Sequence, residues 1–221
     1  MELFNLPNAT KVFKVIPKNA FDTYTNSKQK KMFTDLIARI TWLNKLSPDT
    51  VNLESREIKE IQLFKVELKL KEEVQPVLDI INKAIPYHII FIVEQNESIY
   101  LSTSVKHNHP VNEDNSVVDW TFKTPWFKPS QNKYSIQLKK SLDAAYHDFC
   151  LQISAMPELA NKSLTDLVQY NKQLDTLKRE IVMLQNSIKN CKLFKLKVEF
   201  NLLLKKKEMD LELLLAKTNS N

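Results

Sequence analysis

The chain has 221 residues, a hydrophobic fraction of 43%, no glycine and a net charge of +6. This length allows one large domain or a smaller domain with an appendage. Phosphate-binding loops need glycine to bring the backbone close to a phosphate. The composition therefore excludes a P-loop or a Rossmann site, and it indicates that turns use Asn, Asp, Ser and Pro.

Three further features indicate a cytoplasmic protein. No apolar run is long enough to span a membrane, so we expect no membrane association. The N-terminal residues lack the basic start and the apolar stretch of a secretory signal. Two cysteines, Cys150 and Cys191, are too few for a disulfide framework or a zinc cluster and are typical of a reducing compartment.

The first third of the chain predicts a helix followed by two strands. Apolar residues recur at steps of three and four over 28–45, which predicts one amphipathic helix ended by Pro48. Strands are predicted over 51–53 and 58–70, with a polar turn around Ser55 between them.

The middle of the chain predicts a parallel strand pair. A helix is predicted between Pro76 and Pro86, and the β-branched run 88–93 after it predicts a strand buried on both faces. Strand, helix and strand in this order predict a parallel pair with a right-handed crossover. The alternating segment 99–105 predicts a further strand beside them.

The segment 106–133 predicts irregular structure, and 141–153 predicts a short helix. The tryptophans and phenylalanines of the irregular segment either stack on single-stranded bases or pin the loop to the core. We favour the second interpretation.

A heptad pattern begins near residue 161 and predicts helices that pack along an apolar seam. The pattern changes phase at Lys195, which predicts either one long helix with a stutter or an antiparallel hairpin that turns around 190–192. The seam is a packing surface for a partner, which is either the same chain or another one. The predicted partner-binding residues are Leu167, Leu174, Leu177, Ile181, Leu184 and Ile188.

Positive charge is concentrated in the same region. Residues 161–221 contain 12 Lys or Arg against 7 Asp or Glu. A helix this rich in lysine attracts a phosphate backbone in a salt-dependent way, so we predict contact with nucleic acid. The predicted contact residues are Lys189, Lys192, Lys195, Lys197, Lys205, Lys206 and Lys207.

One short motif suggests an alternative function. Pro48-Asp49 followed by Glu67-Leu68-Lys69 has the form of the PD-(D/E)xK nuclease site, in which two carboxylates hold Mg²⁺ and a lysine positions the attacking water. Glu67 and Lys69 are two residues apart and would share one face of a strand. Pro-Asp after a helix is also an ordinary turn, and Asp49 precedes the predicted strands rather than lying within them.

The histidines do not predict a metal site. His107 and His109 lie near Asp114, but no third ligand has a defined spacing to them. We therefore predict neither a metal nor a cofactor, with Mg²⁺ as the exception if the nuclease alternative holds.

The order of seven segments carries a family resemblance: FNLP (4–7), IPK (16–18), ITWLNKLSP (40–48), EIQLF (60–64), ELK (67–69), KAIPY (83–87) and KLKVEFN (195–201). This order resembles a bacterial family of domains of unknown function of similar length. Members of that family often lie beside helicases and DNA methyltransferases in restriction-like, phage-defence loci. The resemblance therefore implies a defence-associated role.

Together these patterns predict an α/β (α+β) domain with a mixed sheet over 1–155. A C-terminal long helix or antiparallel coiled-coil hairpin is predicted over 160–217. The predicted function is a non-enzymatic accessory subunit of a DNA-processing, anti-phage defence complex. Its expected partners are a helicase or methyltransferase subunit of the same locus, DNA, and a second copy of the chain. The alternative is the Mg²⁺-dependent nuclease using Asp49, Glu67 and Lys69.

Overall fold

The structure is a computed structural model that describes residues 3–109, 111 and 115–219. Of residues 217–219 it describes the backbone only. The chain divides into two compact units, Met1–Ala155 and Met156–Asn221. We call them the sheet unit and the helical unit. Within the described part of the chain, no helix is both long and apolar enough to cross a membrane.

A mixed sheet forms the sheet unit, and its strands lie side by side in sequence order. The strands are β1 (Lys11–Val15), β2 (Ile37–Leu46), β3 (Ile61–Leu68), β4 (His88–Gln95), β5 (Ser98–Asn108) and β6 (Ser116–Lys123). Neighbouring strands are antiparallel except β3 and β4, which are parallel. The predicted mixed sheet and its parallel pair are confirmed.

The described helices are α1 (Ser27–Leu36), α2 (Pro48–Val51), α3 (Gln75–Ala84), α4 (Leu142–Ser154), α5 (Leu164–Asn190) and α6 (Phe194–Asn219). Helix α3 connects the parallel strands, as predicted. It begins with a proline at its first turn and ends just before Pro86. The predicted helix over 141–153 corresponds to α4, which starts at the N-cap Ser141.

The predicted helix over 28–45 is wrong in its second half, because α1 ends at Leu36 and β2 begins at Ile37. Strand β2 has irregular register against β3 after Ile37 and again after Trp42. Each irregularity shifts the alternation of faces, so the fully buried residues Ile37 and Ile40 are three positions apart. A bulged strand therefore has the spacing that also predicts a helix.

Two other predictions are corrected. Residues 51–53 are not a strand, because Ser47 and Thr50 cap the short helix α2 and Asn52 then takes a left-handed conformation with φ 52°. The segment 106–133 is not wholly irregular, because β5 continues to Asn108 and β6 pairs with it from Ser116 to Lys123. Strand β6 is only half-buried along most of its length, which weakens its hydrophobic pattern.

Helices cover both faces of the sheet. Residues from α1 and α3 form one core with Phe64, Val66, Phe91 and Val93 of the central strands. The opposite face carries His88 and Thr103, and α4 packs on it through Tyr146. Phe4 near the N-terminus contacts Phe149 of α4 edge to face, with 5.8 Å between the ring centroids.

Candidate functional site

The structure places Asp49 far from the other two predicted catalytic residues. Asp49 is exposed in α2, which follows the end of β2. The pairing of Leu46 with Ile61 puts α2 beyond the start of β3, whereas Glu67 lies near the end of β3. Six residues of strand separate Ile61 from Glu67, which is about 20 Å at 3.3 Å per residue. One Mg²⁺ with ligand distances of about 2.1 Å cannot contact both carboxylates.

Glu67 belongs to a charged cluster with Arg39, Lys65 and Glu94 on adjacent strands. Arg39 Nε lies 2.9 Å from one Glu67 oxygen and Lys65 Nζ lies 3.4 Å from the other. Lys65 also lies 3.0 Å from Glu94, which is directly across from Glu67 in the parallel register. The cluster contains two cations and two carboxylates, so it is balanced in formal charge.

Lys69 follows the end of β3 and contacts the end of α1. Its Nζ donates to the Thr34 carbonyl at 2.7 Å, and its backbone N–H donates to the Leu36 carbonyl at 2.8 Å. These bonds satisfy carbonyls that the last turn of a helix leaves open. The observed contacts of Glu67 and Lys69 hold strands and a helix end together.

A small cleft opens beside the charged cluster on the same face of the sheet. Its volume is about 270 Å³, slightly below the usual range for small-molecule sites of about 300–1,000 Å³. The lining is mainly apolar, with Asn44, Lys65 and Glu94 as its polar members. The apolar lining residues are Leu3, Phe4, Leu6, Phe13, Leu43, Leu63, Ile92, Ile99 and Pro129.

Lys106 is a buried cation that the sequence pattern did not single out. Its Nζ donates to the carbonyls of Asn82 at 2.8 Å and Ile85 at 2.5 Å, and Ser116 also donates to Asn82. Burial lowers the pKa of Lys106 to about 7. Burial and then the charge of Lys106 lower the pKa of His88 to about 4, so this imidazole is neutral at neutral pH. We interpret Lys106 as a cap for the C-terminal carbonyls of α3.

The described residues contain no group of three His, Cys, Asp or Glu side chains that could hold a metal ion. His107 Nδ1 lies 2.8 Å from Asp119 Oδ2. Asp114, which the sequence placed near His107 and His109, lies outside the described residues.

In the helical unit, part of the predicted seam faces α6 of the same chain. Leu177 lines a groove together with Leu213 and Leu214, and Lys207 Nζ lies 2.8 Å from Glu180 beside them. Burial along the seam decreases toward the end of α5. Leu167 and Leu174 are buried, whereas Leu177, Ile181, Leu184 and Ile188 are half-buried.

The residues between and around the facing ends of α5 and α6, 189–197, form a basic and apolar surface that we call the tip. Phe194 is 82% exposed and Leu193 is 64% exposed. Four lysines of the tip are exposed, and none of them has an ion-pair partner among the described residues. They are Lys189, Lys192, Lys195 and Lys197. Lys205 and Lys206 are exposed farther along α6, where Lys207 pairs with Glu180.

The family model described as "Domain of unknown function (DUF4391)" matches residues 4–211. The chain belongs to the DUF4391 family. The predicted resemblance to a family of unknown function is therefore confirmed, and the DUF4391 match spans both the sheet unit and nearly all of the helical unit. No curated protein matches the chain significantly, and no solved structure does. The neighbourhood of helicases and methyltransferases stays a prediction.

Proposed function

We propose that this DUF4391 protein is a non-enzymatic adaptor subunit of a DNA-processing complex that contacts nucleic acid through its tip. The observation that supports this proposal is the exposed Phe194 among the four lysines of the tip. Lysines of this kind neutralise phosphates, and an exposed aromatic ring offers a stacking surface to an unpaired base. We therefore expect the tip to bind single-stranded DNA more tightly than double-stranded DNA.

The helical unit is part of the same proposal. We propose that α5 and α6 form an antiparallel coiled-coil hairpin, supported by the Lys207–Glu180 pair and by the groove that Leu177 shares with Leu213. A hairpin would present the tip at the end of two packed helices, where a strand of DNA can approach it from several sides.

Fluorescence anisotropy with labelled single-stranded and double-stranded oligonucleotides tests the DNA contact. The test variant changes Lys189, Lys192, Lys195 and Lys197 to Gln. We expect wild-type affinity to fall steeply between 50 and 200 mM salt, and the variant to bind more weakly with a smaller salt slope. Each lost phosphate contact reduces that slope by about 0.7 for single strands and about 0.9 for duplexes.

A matched control removes the same charge from the sheet unit. Lys14, Lys28, Lys31 and Lys139 are exposed there, and their change to Gln should leave the salt slope unaltered. Phe194→Ala should weaken single-strand binding about tenfold and duplex binding much less, since stacking contributes about 1–3 kcal/mol per base. Absence of binding at 50 mM salt, or equal losses in both lysine variants, contradicts the proposal.

The adaptor role also requires a protein partner, which we propose to be a helicase or methyltransferase subunit from the same locus. The family resemblance motivates this partner, and co-purification of the coexpressed subunits tests it. If tagged full-length chain never retains the neighbouring subunit, with or without DNA, the adaptor role is wrong even where DNA binding persists.

The same preparations test the nuclease alternative. Because Asp49 lies far from Glu67, and because Glu67 and Lys69 bind protein groups, we expect no Mg²⁺- or Mn²⁺-dependent plasmid cleavage above background. Cleavage by the wild type that disappears in Glu67→Ala and Lys69→Ala would instead support a nuclease.

A further inference from the structure

The cleft beside the charged cluster has the features of a small-ligand site. All of its lining residues belong to the sheet unit. Four adjacent strands contribute apolar side chains to it, with Leu43 from β2, Leu63 from β3, Ile92 from β4 and Ile99 from β5. A volume of about 270 Å³ fits a molecule smaller than a typical drug.

Phe13 of the edge strand β1 lines this cleft and has an unfavourable backbone conformation. Its φ is 51°, in the left-handed region, where the pairing of β1 with β2 is irregular between Lys11 and Lys14. That conformation costs free energy in any residue with a Cβ atom, and such strain is concentrated at functional sites. The ring is also 61% exposed, although it is apolar. A ligand bound in the cleft would cover part of the exposed ring.

The polar lining of the cleft contains one positive and one negative group side by side. Lys65 Nζ lies 3.0 Å from Glu94 Oε2, and the two side chains are 28% and 31% exposed. An ammonium has three N–H donors, and the contacts of Lys65 with Glu67 and Glu94 leave the third. Among the described residues, Glu94 Oε1 has no ion-pair partner. The pair can therefore bind a further anion and a further cation at the same time.

The charge balance of the cluster indicates what the polar end of the ligand carries. Arg39, Lys65, Glu67 and Glu94 sum to zero formal charge. A ligand with only a carboxylate would add an uncompensated negative charge beside two glutamates, and a ligand with only an ammonium would add a positive one beside two cations. A zwitterion keeps the balance, because its ammonium faces Glu94 while its carboxylate faces Lys65.

We propose that the cleft binds a free α-amino acid with a large apolar side chain. The α-ammonium contacts Glu94, the α-carboxylate contacts Lys65, and the side chain enters the apolar part of the cleft beside Phe13. Phe4 also lines the cleft, so an aromatic side chain can pack against two rings. This site and the proposed DNA contact are independent, because the cleft belongs to the sheet unit and the tip to the helical unit.

Isothermal titration calorimetry of the full-length chain with phenylalanine and its analogues tests the ligand class. We expect phenylalanine to bind with a Kd of about 0.1 mM, as is reasonable for a ligand this small. Hydrocinnamate lacks the ammonium and phenethylamine lacks the carboxylate, so each should bind at least about tenfold more weakly. Free glutamate and free lysine should not bind, because their second charge would be buried in the apolar lining.

The analogue series uses wild-type protein, so it does not depend on any variant folding. No phenylalanine binding at about 5 mM would overturn the site. Hydrocinnamate or phenethylamine binding as tightly as phenylalanine would overturn the assignment of a zwitterion.

Substitutions test whether phenylalanine binds in this cleft. Glu94→Gln should weaken phenylalanine binding about tenfold without weakening hydrocinnamate binding, because only the ammonium contacts Glu94. Glu73→Gln is the matched control and should change neither, since Glu73 pairs with Lys123 outside the cleft. Phe13→Ala should weaken the binding of both ligands. Val15→Ala should weaken neither, because it removes an exposed apolar side chain of the same strand that does not line the cleft.

Urea denaturation shows that each variant is folded before titration. Phenylalanine binding that is unaltered in both Glu94→Gln and Phe13→Ala would place the ligand elsewhere and overturn the proposed site. Equal losses of phenylalanine and hydrocinnamate binding in Glu94→Gln would mean that Glu94 shapes the cleft instead of binding the ammonium, which would also overturn the assignment of a zwitterion.

Discussion

At the residue scale, Asp143 anchors an irregular part of the sheet unit. Its carboxylate accepts hydrogen bonds from the backbone N–H groups of Arg56 and Glu57 at 2.9 Å and of Ile58 at 3.0 Å. Burial raises the pKa of Asp143, but these three bonds outweigh burial and the net pKa lies below its usual value. One side chain on α4 therefore fixes the segment that leads into β3.

We predict that Asp143→Ala lowers the free energy of unfolding by about 2 kcal/mol at pH 7, since hydrogen bonds to a charged group contribute about 1.5–3 kcal/mol. Urea denaturation measures this change. Asp35→Ala is the control, because Asp35 is exposed on α1 and the change should alter stability by less than about 0.5 kcal/mol.

The same group makes stability depend on pH. Because the folded pKa of Asp143 is below its unfolded value, its contribution is complete above the unfolded pKa near 3.8 and is lost as pH falls through the folded pKa. The stability difference between wild type and Asp143→Ala should therefore shrink below pH 4. A difference that stays constant from pH 7 to pH 2 would contradict this account.

At the element scale, the absence of glycine means that residues with a Cβ atom must adopt the left-handed conformation, which costs free energy. Left-handed conformations occur at Asn52 and Asn96, as the composition predicts, but also at Phe13, Lys140 and Ala155. Ala155 ends α4 with φ 54° and ψ 38°. The left-handed conformation costs a residue with a Cβ atom about 1 kcal/mol relative to glycine.

We predict that Ala155→Gly raises the free energy of unfolding by about 0.5–1 kcal/mol, because glycine takes the left-handed conformation without that cost. The matched control is Ala144→Gly within α4, which should lower stability by about 1 kcal/mol. Thermal and urea denaturation of both variants measure the two changes. Destabilisation by both substitutions would mean that the helix end contributes no strain.

Helices and strands were predicted correctly where their own sequence contains the signal. They were predicted wrongly where pairing with a distant strand determines the structure. The run 88–93 and the proline-bounded α3 contain their own signals, so β4 and the crossover were predictable. The bulges of β2 depend on its pairing with β3, and β6 becomes a strand through β5. The cap formed by Lys106 joins residues about twenty positions apart, which no spacing rule reveals.

The predicted nuclease motif failed to assemble for a related reason. A motif in sequence brings its residues together only if the fold returns them to one end of the sheet. Here α2 and the connection to β3 place Asp49 at one end of the strand and Glu67 toward the other. Lys189, Lys195 and Lys197 of the tip lie at the ends of α5 and α6, so their positions depend on local helix structure much more than on strand pairing.

At the scale of the whole molecule, the large buried core and the proposed DNA-binding surface lie in different units of the chain. The sheet unit has a core on both sheet faces, and its strands pair with one another, with an isolated bridge between Ile99 of β5 and Phe127 in addition. The helical unit has the lysine-rich tip, with 12 Lys or Arg against 7 Asp or Glu over 161–221. This division predicts that folding and DNA binding can be separated by truncation.

We predict that a chain ending at Ala155 unfolds cooperatively in urea but does not bind DNA. Its core is complete because all the described strands and α4 remain. A chain ending at Lys140 is the control and should not fold, because it loses α4 with Phe149 and Tyr146, both fully buried. Tyr146 also supplies the hydroxyl bonded to Thr103, so its loss removes one of the two hydrogen bonds of that buried side chain and leaves the one to the Ile89 carbonyl. A 1–155 chain that binds DNA would move the proposed DNA-binding surface from the helical unit to the sheet unit.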